Sequence, residues 1–148
     1  MMDGMGRRNR RRADLTCDWY KTVGYAIGAL AQLAADDGSK PLSCREICDR
    51  TDMPERFVLT ILRTLTRAGV VVSTRGIKGG YRLAKQPSQI TLLEICDAVN
   101  GLPGPPAVKL YGLSASGQRV MDEAFISLAD NSRRRLNAFR LDELQVRS

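Results

Sequence analysis

Few side chains in this sequence are suited to chemistry, and their types exclude several kinds of site. Four of the 148 residues are cysteine and none is histidine. The cysteines include no Cys-x-x-Cys pair, so the pattern favours neither a zinc ribbon nor a dithiol redox motif. Histidine is the commonest metal ligand and general base. Because it is absent, and no nucleophile–base pair or paired carboxylates are evident, we expect no metal site, no cofactor and no enzyme activity.

Two of the cysteines are candidate redox thiols. Cys44 and Cys48 lie four residues apart in a segment predicted to be helical, so they share a face. We expect Cys48 near the core and Cys44 nearer the surface, where Arg45 could lower its pKa and favour a sulfenic acid or mixed disulfide. A disulfide between the two would be strained. Alternatively, all four cysteines, which include Cys17 and Cys96, are small buried hydrophobic residues.

Basic residues are concentrated in two segments of the chain, whose net charge is +7. The first twelve residues carry five arginines against Asp3, which is +4. Residues 54 to 85 carry seven cations against Glu55, which is +6, so the remainder is net acidic. Such clustering is typical of proteins that bind a polyanion. The alternative is that these charges only solvate helix faces.

Caps and periodicity predict the elements that position these side chains. A mostly apolar run from Trp19 to Ala35 predicts a buried helix that Gly38 ends. Ser43 to Glu46 is a capping-box pattern that opens a short helix to about Arg50. Pro54 suits the first turn of the next helix. That helix ends at Gly69 and has an inward face at Phe57, Val58, Ile61, Leu62 and Leu65. Two short helices joined by a tight turn, the second basic, predict a helix-turn-helix.

A β-hairpin is predicted directly after the second helix. Val70 to Val72 is short and β-branched, as strands are. A glycine-rich turn, 74–80, leads into a returning strand at Tyr81 to Leu83. A helix-turn-helix with such a hairpin is a winged helix. The predicted fold class is therefore mainly α with a small β-hairpin wing.

The remaining chain predicts a dimer. Thr91 to Glu94 is a second capping box, which opens a helix to Val99. Ser114 or Ser116 caps a long C-terminal helix, and Leu141 and Leu144 lie in a final amphipathic turn. The long helix has an apolar stripe that a small domain could not cover, so we expect a homodimer through Val120, Met121, Phe125 and Leu128. The predicted divisions are a disordered basic arm (1–14), a DNA-binding domain (15–101), a linker (102–113), and the dimerisation helix with its tail (114–148).

The second helix and the wing carry the predicted DNA contacts. N-terminal residues of such a helix reach base edges in the major groove. Arg56 could pair with guanine, Thr60 could touch a base or thymine methyl, and Arg63 and Arg67 suit phosphates. Leu59 lies on the exposed face, or packs on the neighbouring helix. At the wing tip Arg75 and Lys78 lie between glycines, which allow a close approach to a groove.

Several segments resemble the Rrf2 family of bacterial regulators, of the IscR, NsrR and CymR type. The resemblance covers residues 19 to 101 in order, and its wing motif Arg-Gly-x-x-Gly-Gly-Tyr-x-Leu is specific. Residues 139–144 resemble the segment that follows the family's dimerisation helix. The matching segments are Tyr25–Ala34, Cys44–Ile47, Met53–Val58, Leu65–Val70, Arg75–Ala84, Ile90–Ile95 and Asn100–Gly101.

The resemblance implies a winged helix plus a long helix that crosses the partner's helix. It places base-reading positions at Pro54, Arg56, Leu59 and Thr60, and a minor-groove arginine at Arg75. The family often has Glu where this chain has Leu59. Since leucine cannot accept a hydrogen bond from cytosine, we expect a different operator sequence.

The resemblance also raises the question of an iron–sulfur cluster. Many members hold one on three cysteines between the Asn-Gly after the fourth helix and the long helix. Here that loop, 101–113, contains no cysteine. An alternative ligand set in the family uses Glu and His of the first helix, where this chain has Gly24 and Gly28. We therefore expect no cluster.

The sequence thus predicts a cytoplasmic transcriptional regulator. We expect a repressor that binds a palindromic operator in double-stranded DNA as a homodimer. Its effector or further protein partner is unknown. No apolar run approaches the roughly 20 residues of a membrane span, and no secretory signal is evident. The alternative is a winged-helix module that acts through a protein partner without binding DNA.

Overall fold

The computed structural model describes residues 4–102 and 111–144, and the side chains of residues 18–102 and 111–144. None of the helices in these ranges is long and apolar enough to cross a membrane. The chain folds as a helical domain with one hairpin, followed by a long helix. In chain order the helices and strands are α1 (Gly4–Ala35), α2 (Cys44–Thr51), α3 (Glu55–Arg67), β1 (Val71–Thr74), β2 (Gly80–Leu83), α4 (Leu92–Val99) and α5 (Ala115–Ala138).

Helix α1 ends as predicted but begins earlier. It spans Gly4–Ala35, and Gly38 follows with φ +74°. The disordered arm predicted over 1–14 is therefore wrong for residues 4–14, whose backbone is helical. Arginine, methionine and alanine are good helix formers. Once the buried part of α1 has nucleated, each added residue gains a hydrogen bond without a new nucleation cost. Residues 1–3 lie outside the described ranges.

The helix-turn-helix is confirmed by its caps. Ser43 Oγ accepts a 3.1 Å bond from Glu46 N, and Ser43 N donates to Glu46 Oε2 at 2.8 Å, which completes the capping box. Asp52 ends α2 in the left-handed region at φ 57°. Pro54 is the N-cap of α3, one position before the first turn in which the sequence predicted it. Gly69, with φ +77°, follows the end of α3.

The core is aliphatic and lies where α1 packs against α3 and α4. Helix α3 contributes Val58, Ile61, Leu62 and Leu65, all buried. Phe57, predicted on this inward face, is instead 53% exposed. It lies one residue before the stripe, about 100° around the helix. There its ring stacks on Tyr25 of α1, with centroids 6.0 Å apart.

The wing is an antiparallel hairpin with a third strand-like contact. The register pairs Val71 with Leu83 and Thr74 with Gly80. Leu42, between α1 and α2, forms a bridge to Tyr81 of β2. Leu42 N donates to Tyr81 O at 3.0 Å, and Tyr81 N donates to Leu42 O at 2.7 Å. The base of the wing is therefore attached to the helix-turn-helix as well as to its own partner strand.

The C-terminal segment returns to the domain after α5. Leu141 N donates to Ile90 O at 2.9 Å, and Leu92 N donates to Phe139 O at 3.1 Å. Leu141 is completely buried, in the turn where the sequence placed it. Arg133 of α5 forms a two-pronged pair with Asp97 of α4, with N–O distances of 3.2 and 2.9 Å. The end of α5 is thereby fixed to α4.

Candidate nucleic-acid interface

Helix α3 presents three arginines on a single exposed face. At 3.6 residues per turn, Arg56, Arg63 and Arg67 lie within about 40° of one another. The buried stripe of α3 is on the opposite side, so packing of that stripe directs the arginines outward. None of the three has an ion-pair partner among the described residues. Their charges are therefore available to a ligand.

The other predicted contacts of α3 differ in exposure. Pro54 and Thr60 are exposed, and Leu59 is half-buried. Thr60 Oγ1 donates to Arg56 O at 3.0 Å, within the helix. The hydroxyl keeps its acceptor lone pairs, and the methyl group remains suited to a thymine methyl. Proline at the N-cap supplies no side-chain acceptor, so the first amide groups of α3 can meet an anion.

Glycine geometry holds the wing tip in a single shape. Gly76 has φ +111°, and a Cβ on Gly79 would lie 2.2 Å from Thr74 O. Gly79 N donates to Gly76 O at 3.0 Å, which closes the turn. Neither position accepts a side chain without strain. Arg75 and Lys78, both exposed, project from this turn and have no ion-pair partner in the described parts of the chain.

Ile77, at the apex of the wing, was missed by the sequence reasoning. Its relative exposure is 107%, so no other part of the described chain covers it. It lies between the two tip cations. The sequence could have indicated it, because an aliphatic residue lies between cations in a glycine-bounded turn, where a polar residue would be expected. Proteins that enter the minor groove commonly insert isoleucine, leucine or phenylalanine between base steps.

Two of the seven cationic side chains in residues 54–85 bond to groups within the protein and are not available to a ligand. Lys85 Nζ pairs with Glu94 Oε1 at 2.6 Å, which connects the base of the wing to α4. Arg82 Nη2 donates to Ser39 O at 3.4 Å. The charge available at the interface therefore comes from three arginines of α3 and two cations of the wing tip.

The thiols of α2 have raised, not lowered, pKa values. Cys44 and Cys48 are both half-buried, so neither is distinctly nearer the surface. Burial raises the pKa of Cys44 to about 12, and burial also raises the pKa of Cys48. The prediction that Arg45 lowers the pKa of Cys44 is wrong, because desolvation dominates and Arg45 is exposed. Neither thiol has the thiolate character that rapid oxidation requires.

Helix α5 leaves apolar side chains uncovered between Val120 and Leu128. None of its residues is buried. Val120 and Leu128 are each 64% exposed, while Met121 and Phe125 are half-buried. Ile126, which the sequence analysis did not include, is 50% exposed. A helix with several apolar side chains left exposed is suited to a partner helix.

Comparisons with known proteins agree with this architecture. Residues 20–147 match the model of the Rrf2 family, described as "Iron-dependent Transcriptional regulator". An Rrf2-like HTH-type regulator of Rhodobacter capsulatus is 37% identical over 102 residues, which cover 67% of this chain and 65% of that protein. The HTH-type regulator CymR of Bacillus subtilis is 31% identical over 84 residues, 57% of this chain and 61% of CymR. The chain thus spans less than two thirds of either relative.

Solved structures show the same fold. The B. subtilis protein CymR, described as its global cysteine regulator, superposes with a TM-score of 0.67 at 26% identity, over 82% of this chain and 91% of CymR. IscR of T. potens superposes with a TM-score of 0.65 at 25% identity, over 82% and 81%. The predicted winged helix with a C-terminal helix is confirmed.

The donors of this chain do not fit the iron site that the family description implies. Within the described residues no three His, Cys, Asp or Glu side chains are grouped to hold a metal ion. Cys44 and Cys48 are on α2, while Cys96 is buried on α4. The segment 101–113 has no cysteine, and the chain has no histidine. A cluster needs Cys or His ligands that converge.

Proposed function

This chain belongs to the Rrf2 family of DNA-binding transcriptional regulators, and from that premise we propose that it represses transcription by binding a palindromic operator as a homodimer. The observation that most supports this proposal is that the chain has both an outward arginine face on α3 and a rigid cationic wing tip. The first element suits the major groove and its phosphates, and the second suits the adjacent minor groove. Repression follows if the bound dimer occupies DNA that RNA polymerase needs.

We propose specific roles for the interface residues. Arg56 reads a guanine, while Thr60 and Leu59 contact neighbouring bases near Pro54. Arg63 and Arg67 bind phosphates, and Arg75 and Lys78 enter or border the minor groove. The half-buried Leu59 offers only an apolar surface, so it favours a thymine methyl over the amino group of cytosine. The basic segment near the N-terminus adds phosphate contacts that do not depend on sequence.

The homodimer forms through α5 in this proposal. A 24-residue helix is about 36 Å long at 1.5 Å per residue, long enough to cross a second copy. Its exposed Val120 and Leu128 would be covered by the partner's helix. Such a dimer places the two recognition helices about one DNA turn, roughly 34 Å, apart. The matching operator is palindromic because the dimer is two-fold symmetric.

The regulator works without an iron–sulfur cluster in this proposal, because the cysteines whose side chains the structure describes are not grouped as cluster ligands. A protein that acts on bacterial promoters is cytoplasmic. Anaerobic purification tests the cluster directly. A brown protein with about two iron and two sulfide per chain, the content of a [2Fe–2S] cluster, would contradict this part of the proposal.

Selection of random DNA by the purified protein, followed by sequencing, tests the central proposal. Enrichment of a two-fold symmetric sequence is expected. Affinity for it should fall with salt, with a log–log slope at least as steep as about −3.6, from the four phosphate contacts that Arg63 and Arg67 make per dimer at about 0.9 each. Arg56→Ala should relax preference at one base pair by about 1–3 kcal/mol. Arg63→Ala should flatten the slope by about 2 per dimer without changing preference.

Arg135→Ala is the matched control, since it removes an exposed arginine from α5 instead of α3. Its slope and sequence preference should stay as in the unaltered protein. Recovery of no enriched sequence, with binding to random DNA equally strong in all four proteins, would contradict specific recognition by α3.

A further inference from the structure

The two thiols of α2 form a pair under the start of the recognition helix. Cys44 and Cys48 lie one helical turn apart on α2, and both are half-buried. The Cys44 thiol also donates to the backbone oxygen of Glu55, the first residue of α3, with an S–O distance of 3.8 Å. The pair therefore touches the junction between the two helices of the DNA-binding motif.

The chemistry of this pair selects the kind of ion that it could hold. Two cysteines are too few for tetrahedral Zn²⁺ or an iron–sulfur cluster. No third His, Cys, Asp or Glu donor joins them in the parts of the chain that the structure describes. Soft thiolate ligands prefer Cu(I) among common metal ions, and Cu(I) is satisfied by few ligands. Half-burial also keeps water, a poor ligand for Cu(I), away from one side of the site.

We propose that the Cys44 and Cys48 thiols together bind one Cu(I) ion, and that this binding lowers the affinity of the protein for its operator. The predicted loss of operator affinity rests on the DNA-binding function proposed above. The copper site itself does not.

Binding exchanges protons for the metal. Two S–H bonds break, two Cu–S bonds form, two protons enter solvent and no electron is transferred. Cysteine thiols are ordinarily protonated at neutral pH, since their unperturbed pKa is about 8.5. The apparent affinity for Cu(I) should therefore rise about a hundredfold per pH unit near neutrality, tenfold for each proton released.

Copper bound to Cys44 and Cys48 affects α3 in two ways. The neutral thiols become a bis-thiolate copper complex with a net charge of −1, close to the Glu55 carboxylate, which already raises the pKa of both thiols. The Cys44 S–H bond to the Glu55 carbonyl is also lost. Repulsion at this junction displaces the start of α3, and the added negative charge opposes approach to the phosphates of DNA. Both effects weaken DNA binding.

Competition with the Cu(I) chelator bicinchoninate, under anaerobic conditions, tests the site. Every protein carries Cys17→Ala, so that only the other three thiols compete. We expect one Cu(I) per chain. Loss of an outer-shell partner alone costs about 10–100-fold in metal affinity, so Cys44→Ala or Cys48→Ala, which removes a direct ligand, should cost at least about a hundredfold. Cys96→Ala, the matched control on α4, should bind as tightly as its parent.

Two results would overturn the site. One is copper binding that survives in the Cys44→Ala/Cys48→Ala protein, and the other is an affinity that does not change with pH. Alanine preserves helix propensity, and circular dichroism verifies that each variant is folded.

Operator affinity, measured with and without stoichiometric Cu(I), tests the coupling. We expect a fall of about 5- to 150-fold, the usual range for two coupled sites, and no change in the double variant. Unchanged operator affinity at full copper occupancy would overturn the proposal that copper lowers DNA binding. The copper titration contains no DNA, so its result is independent of whether the proposed operator binding is correct.

Discussion

Gly80 is the residue on which attachment of the wing most depends. A Cβ at this position would lie 2.5 Å from the Leu42 oxygen and 2.6 Å from its carbonyl carbon, and φ is +153°. Both clashing atoms belong to the backbone, so no side-chain movement relieves them. An alanine must separate β2 from Leu42 and break the hydrogen bonds of 3.0 and 2.7 Å between Leu42 and Tyr81.

The cost of Gly80→Ala follows from these two effects. Residues forced into disfavoured backbone regions cost about 1–3 kcal/mol. Two backbone hydrogen bonds contribute about 0.5–1.5 kcal/mol each, or about 1–3 kcal/mol together. We expect the free energy of unfolding to fall by about 2–6 kcal/mol, a large part of the 5–15 kcal/mol typical of a domain. Operator affinity should fall as well, since the wing loses its fixed orientation.

Urea denaturation followed by circular dichroism measures this loss, with unchanged m-values as the check on two-state behaviour. Gly76→Ala is the matched control. It has φ +111° on the same wing, but a Cβ there meets nothing within 4 Å. The free energy of unfolding of Gly76→Ala should fall only by the backbone contribution of about 1–3 kcal/mol. If Gly80→Ala costs no more than Gly76→Ala, the bridge between Leu42 and Tyr81 does not hold the wing.

Two further predictions concern the wing tip and α5. Ile77→Ser should weaken operator binding about 5- to 30-fold and reduce DNA bending measured by fluorescence transfer, because an apolar wedge in the minor groove is worth on the order of 1–2 kcal/mol. Val72→Ser, at a 52% exposed valine within β1, should change neither quantity, and equal effects would assign no special role to the tip. Leu128→Glu should convert the dimer to a monomer in light scattering at micromolar concentration, and a dimer mass would place the interface elsewhere.

The local elements could be predicted because their signals are local. Ser43 with Glu46 and Thr91 with Glu94 fix the starts of α2 and α4 through bonds to amides three residues away. Gly69 specifies the end of α3 and Gly76 the turn of the wing, since both have a positive φ that glycine adopts easily. The exposed arginine face of α3 follows from helical periodicity alone.

The remaining features depend on contacts between distant parts of the chain. Phe57 has the character of a core residue, and only the position of Tyr25 shows that it stacks at the edge instead. The pKa of Cys44 depends on how α3 covers it, which no neighbouring residue reveals. Ile77 could have been noticed as an anomaly, but its full exposure is a property of the folded wing. Pairing of Leu141 with Ile90 spans about fifty residues and has no sequence signature.

The return of the chain after α5 connects this helix to the winged-helix domain. Phe139 and Leu141 bond to Leu92 and Ile90 on either side of the start of α4, and Leu141 fills the core beside them. Helix α4 packs against both α1 and α3. A tilt of α5 would therefore be transmitted to the winged-helix domain, because the contact consists of two backbone hydrogen bonds and the buried side chain of Leu141. The distance between two recognition helices would then be set by how two copies of α5 cross. A signal that alters this crossing would change how well the dimer fits a fixed operator spacing. Copper at Cys44 and Cys48 would change the same fit by displacing α3 within the winged-helix domain.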